Sequence, residues 1–183
     1  MSQEILIEQA KQILAPISND LSQPEANRLD VIIPSDKLLD AVALIKKSKW
    51  GYLAAITGLD HPPSVLNANE EKEWSRTSED YQESTTGFAY AGSLEALYHF
   101  CAKDVVLTLR VQLPHTNASV SAIDKLLPSA SLFERELKEM FGISIDGAAN
   151  QDHLLLPDDW PAGVYPLRKE FTGINATSAG KGE

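Results

Sequence analysis

The chain has 183 residues, 43 % hydrophobic and 23 % charged, which suits one domain with a real core. Its net charge of −10 argues against a nucleic-acid backbone or an anionic bilayer as the main partner. One cysteine, Cys101, excludes an internal disulfide, and no apolar run approaches the ~18 residues that span a bilayer.

The first fourteen residues carry acids and lack a basic leader region, so they read as an amphipathic helix rather than a signal peptide. Its apolar face is Ile5, Leu6, Ala10, Ile13 and Leu14, and Pro16 closes it. Ser18 to Asn27 is polar and reads as loop. Arg28 to Ile33 reads as a strand ended by Pro34. Ser35 or Asp36 can cap a helix to about Lys47, with Leu38, Leu39, Val42 and Ile45 turned to the core. Tyr52 to Thr57 reads as a short buried strand. Asp60 to Gly87 is too polar to bury much surface and reads as a mobile loop, an insertion or a hairpin tip.

Leu94 to Cys101 fits helix or strand by pattern alone. Val105 to Leu113 is the clearest strand, β-branched and partly alternating. Ser119 to Leu127 reads as a short helical turn before Pro128. From Ser131 a helix runs to Gly142, with an apolar stripe at Phe133, Leu137, Met140 and Phe141. Ser131 and Glu134 have capping-box spacing, and Gly142 sits where a helix C-cap glycine belongs. Beyond it, Leu154 to Phe171 holds Pro157, Pro161 and Pro166 among aromatics without a helical period. Such a segment should be extended and laid against a surface, its own or another chain's. From Thr172 the composition is that of a disordered tail. The expected class is α+β: one mixed sheet covered by helices over residues 1–145, a Pro/aromatic arm over 146–171, and the tail over 172–183.

Chemistry is sparse. Neither a dinucleotide nor a phosphate-loop glycine pattern is present, and there is no nucleophile elbow. One cysteine and four histidines, His61, His99, His115 and His153, offer no zinc or iron–sulfur ligand set. His99 and Cys101 share a face if they lie on a strand, but two ligands make no site. Glu134 and Glu136 point about 200° apart on a helix, so they cannot converge on one substrate. Glu136 flanks the apolar stripe and needs a counter-ion there, with Arg168 or Lys169 as candidates in this chain or across an interface. The plainer reading is a solvated helix with an ordinary Glu134–Lys138 pair. Asp158 and Asp159 read as turn or helix-start caps rather than a cation site. Trp160, Tyr165 and Phe171 are rigid aromatics of the kind that anchor interfaces, or cover the domain's own core.

ERELKEMFGI followed by LLLPDDWPAGVYPLRKEF resembles the signature of the thirty-kilodalton, or C-type, subunit family of NADH-quinone oxidoreductase, respiratory complex I. Glu134, Arg135, Glu136, Glu139, Met140, Phe141 and Gly142 match its first half. Leu156, Pro157, Asp158, Asp159, Trp160, Pro166, Leu167, Arg168, Lys169 and Phe171 match its second. LYHF and VVLTLRVQLP resemble the strands before it, so the likeness runs from Val31 to Phe171 apart from the polar stretch. Two features depart from the pattern. Asp146 to His153 lacks the family's Pro and basic pair, and the 60–87 stretch is longer than usual. The extra residues before PLRK fit equally the related subunits of membrane-bound [NiFe] hydrogenases.

The resemblance implies a peripheral-arm subunit without catalytic, metal or cofactor-binding residues of its own, held at the cytoplasmic face through its complex. Iron–sulfur clusters, and FMN or a nickel–iron centre, would sit in partner subunits. Those partners would be the large subunit (D-type or the hydrogenase large subunit), the small iron–sulfur subunit and an I-like ferredoxin subunit. The interface set it implies is Glu134, Arg135, Glu136, Met140, Phe141, Asp158, Asp159, Trp160, Arg168, Lys169 and Phe171. An unrelated reading, a stand-alone acid/base enzyme using Glu134 or Glu136 with His153, lacks a convergent set.

Overall fold

A computed structural model describes residues 2–62, 64–66, 81–84, 87–90 and 92–174, the three short stretches by backbone only. The centre is a five-stranded mixed sheet. β7 (Ser93–Ala102) and β8 (Val105–Pro114) form its long central hairpin, antiparallel from Ser93↔Pro114 to Ala102↔Val105. The residues of 94–101 are therefore strand, and alternation decides it: Leu94, Ala96, Tyr98 and Phe100 enter the core while Glu95, Leu97, His99 and Cys101 face the other way. β2 (Arg28–Ile32) adds to β8 in parallel, and β3 (Tyr52–His61) adds to β7 antiparallel.

β1 (Leu21–Glu25) replaces the expected loop at 18–27 and pairs antiparallel with β2, completing the order β1-β2-β8-β7-β3. It is an outer strand and almost wholly exposed, so its sequence needs no apolar alternation, and Pro24 is tolerated at the edge. β3 runs ten residues, four past the expected end, because Asp60 finds buried partners. In the polar stretch and just after it, β4 (Ser64–Leu66), β5 (Tyr81–Ser84) and β6 (Gly87–Tyr90) form a small antiparallel sheet in the order β4-β6-β5. The expected loop character of 67–80 and most of the tail, 175–183, lie outside the described residues.

α1 (Gln3–Leu14), α2 (Leu38–Lys47) and α3 (Ala130–Phe141) share one apolar cluster with the inner face of the sheet. α2 is preceded by a 3-10 turn at Ser35–Lys37 with no side-chain cap. Leu39 turns outward, and Ala41 takes the buried place beside Leu38, Val42 and Ile45. The expected helical turn at 119–127 begins instead as β9 (Ser119–Ser121), parallel to β10 (Ser144–Asp146). Only its second half coils, with Leu126 and Leu127 donating to the Ile123 carbonyl. β9 depends on β10, which follows α3, so local pattern could not show it.

Candidate functional site

The signature residues meet where the C-terminal half of α3 runs into the arm. α3 ends at Gly142, in the left-handed region at φ 69°, with its N–H on the Lys138 carbonyl. A Cβ there would lie 2.3 Å from the Tyr165 ring, so the glycine also lets the arm cross the helix end. Gly58 does the same for Phe141, whose ring would be 2.4 Å from a Cβ on β3.

The expected capping box is not formed. The N-cap is Ser129 without a side-chain hydrogen bond, and Glu134 is turned inward, 1 % exposed. Its Oε1 accepts from the Ile123 N–H at 2.5 Å, tying α3 to the turn after β9. Glu134 Oε2, Asp124 Oδ1 and the Tyr98 hydroxyl are buried without a partner among the described residues. Burial raises the Glu134 pKa, and the Asp124 charge adds to that against hydrogen bonds from the Ile123 and Asp124 amides. The buried stripe of α3 is thus Ala130, Glu134, Leu137, Met140 and Phe141, with Phe133 half-buried.

Two carboxylates outside the expected set hold the arm. Glu139 accepts from the Leu154 N–H, from the Leu155 N–H at 3.0 Å and from His153 Nδ1 at 3.1 Å. Burial works to raise its pKa, but these hydrogen bonds, with a contribution from Leu156, outweigh it and lower the pKa. Asp60, on β3, accepts from the Lys169 N–H at 2.7 Å and from His115 Nε2 at 2.9 Å. Between these anchors, the Leu167 N–H donates to the Met140 carbonyl and Arg168 Nε to the Phe141 carbonyl. The arm has no helix or strand. It turns at Pro157–Trp160, Pro161–Val164 and Tyr165–Arg168, and it lies first on its own domain.

The other expected site residues divide by exposure. Arg135 donates to the Asp152 and His153 carbonyls, and Lys138 to Gln151, so neither pairs with a glutamate of α3. Arg168 stacks over Tyr165 at 4.5 Å, with Nη1 3.7 Å from Glu170 rather than on Glu136. Trp160 donates to the Val164 carbonyl and lies 6.4 Å from Phe171, both half-buried. Asp158, Asp159 and Lys169 are exposed, and Glu136 is half-buried. His153 meets Glu139, not Glu134 or Glu136, so the acid/base set does not assemble. His99 does share a face with Cys101, but its ring lies between Thr57 and Thr108. Among the described residues no group of three or more His, Cys, Asp or Glu could hold a metal ion, and no helix is long and apolar enough to cross a membrane.

A cavity of about 360 Å³ lies between the end of α3, β10 and the arm, with His153, Trp160 and Tyr165 in its wall. The signals for Glu139 and Asp60 were faint. Glu139 was visible only as an acidic residue inside the signature, and Asp60 read as the start of a loop.

The fold and site define a mixed α+β domain whose signature builds a helix–arm junction. The model of the respiratory-chain NADH dehydrogenase 30 Kd subunit family matches residues 31–177, and the chain belongs to that family. The C-type subunit of the F(420)H(2) dehydrogenase of Methanosarcina mazei is 26 % identical over 150 residues, 80 % of this chain and 77 % of that one. The membrane-bound hydrogenase subunit beta of Pyrococcus furiosus is 39 % identical over 70 residues, 38 % of this chain and 40 % of that one. A chain of the membrane-bound sulfane sulfur reductase, an archaeal respiratory membrane complex, shares the fold at TM-score 0.57 and 21 % identity, over 90 % of this chain and 84 % of that one. This is a chain of the complex I 30 kDa-subunit family.

Proposed function

We propose that the chain is a non-catalytic peripheral-arm subunit that supports assembly of the large subunit and its iron–sulfur neighbours. The holoenzyme would pass electrons from NADH or a similar donor to quinone at the cytoplasmic face of the membrane, with every redox centre in partner subunits. The observation that carries the reading is the outer side of the arm. Leu155 and Leu167 are 61 % and 52 % exposed on a segment whose backbone is already fixed to the domain. Large apolar side chains displayed on a preorganised backbone lose little entropy on docking.

Within the expected interface set, the residues that would face a partner are Glu136, Asp158, Asp159, Trp160, Lys169 and Phe171. Glu134, Arg135, Met140, Phe141 and Arg168 would act through the shape they give the junction. Arg168→Ala is therefore a poor test, since Arg168 also holds the Phe141 carbonyl. The better one is Leu155→Asp with Leu167→Asp. The doubly substituted chain should melt like the wild type yet be lost from the complex purified from detergent-solubilised membranes. Normal recovery of the complex would overturn the reading.

A second reading is the equivalent subunit of an energy-converting membrane-bound [NiFe] hydrogenase. The 39 % identical stretch shared with the Pyrococcus furiosus subunit favours it. Mass spectrometry of the co-purified large subunit separates the two. Two terminal CxxC pairs able to hold nickel mean a hydrogenase, and their absence means the complex I type.

A further inference from the structure

Beside the arm, a small cavity of about 120 Å³ opens between α3, the outer strand β3 and Leu167. Its wall is mainly apolar, made by Ile56, Gly58, Leu137 and Phe141, and the half-buried Glu136 stands on it. A carboxylate partly withdrawn from water needs a cation or several donors. Among the described residues Glu136 has no ion pair, and three of the nearby cations are committed elsewhere. Arg135 and Lys138 bind backbone at 151–153, and Arg168 is held between Tyr165 and the Phe141 carbonyl. Lys169 is exposed, its backbone fixed to Asp60. The exposed Leu167 lines the cavity, and the exposed Leu132 lies one helical turn before Glu136.

We propose that Glu136 and this cavity form a socket for one arginine or lysine side chain of the docking partner. The apolar wall would take the aliphatic stem and Glu136 the charged head. A long cationic side chain fits because it carries a stem able to cover apolar surface under a head that needs an anion. Leu132 and Leu167 would close over the pair and keep water out, which strengthens it. The inference rests on the arm being the docking face, and it adds the chemistry of what is docked.

The test compares complexes purified through a tag on this chain, carrying Glu136→Gln, Glu136→Lys or the Leu155→Asp, Leu167→Asp pair, at rising salt. Glu136→Gln should leave the melting temperature of the free chain unchanged, because the Glu136 carboxylate makes no ion pair among the described residues. It should weaken retention in the complex by about tenfold and flatten the salt dependence of release. Glu136→Lys should abolish retention through like-charge contact. If both Glu136 variants are retained like the wild type while the leucine variant is lost, the socket is wrong and the arm interface stands. If all three are retained, both proposals fall.

Discussion

Replacing Glu134 by glutamine tests whether a buried acid inside the signature works as a neutral hydrogen-bonding group. The folded-state pKa of Glu134 is raised by burial, with the Asp124 charge as a smaller cause. A carboxyl whose pKa rises on folding binds its proton more tightly in the folded state. Stability from this group is therefore fully present below the unfolded carboxylate pKa. It falls as pH rises toward the folded value and stays low above it. Glutamine keeps the acceptor for the Ile123 N–H and brings an amide donor to the place of Oε2, beside the Asp124 charge, whose Oδ1 has no partner among the described residues. Satisfying a buried polar atom contributes about 1 kcal/mol, so Glu134→Gln should raise the melting temperature by roughly 2–4 °C at pH 8. As pH falls the gain should shrink, because the raised pKa lets the wild type take up its proton. Glu134→Ala should instead lose about 2–4 kcal/mol, through the orphaned Ile123 N–H and the space left behind. Thermal unfolding of the three chains from pH 4.5 to 8.5, followed by circular dichroism, decides it. A glutamine variant less stable than wild type at pH 8, with an unchanged pH slope, would mean that the Glu134 pKa is not raised and that its charge is needed.

Glu139→Ala removes the acceptor of two backbone N–H groups and should cost about 2–3 kcal/mol locally. Amide exchange at Leu154 and Leu155 should accelerate while β7 and β8 keep their protection. Since the Glu139 pKa is lowered by its hydrogen bonds, its contribution is complete above the unfolded carboxylate pKa. It is lost as pH falls through the folded value, so arm protection in the wild type should fade on acidification and be pH-independent in Glu139→Ala. Gly142→Ala places a Cβ against the Tyr165 ring in a left-handed backbone, and a loss of about 2 kcal/mol or more is expected by chemical denaturation. An unchanged midpoint would show that the arm can leave the helix end at little cost.

Elements whose evidence is local were legible in the order of residues. The VVLTLRVQL strand alternates, so it had one buried face wherever it was placed. Gly142 follows an amphipathic helix at the position that requires a left-handed residue, and it has φ 69°. The family was legible too, because a motif is read in one dimension. The roles of the charged residues came from the fold. Glu134 had the spacing of a capping box, but the turn after β9 offered its Ile123 N–H in the interior, and a buried donor outweighs one that water can serve. Glu139 was only a match to the motif and Asp60 the start of an expected loop, yet the arm returns over α3 and β3 to give each a backbone N–H. β1 and β9 were invisible for the converse reason. Each is held by a partner strand rather than by its own side chains, and a hydrogen-bonded backbone leaves little mark on the sequence that forms it.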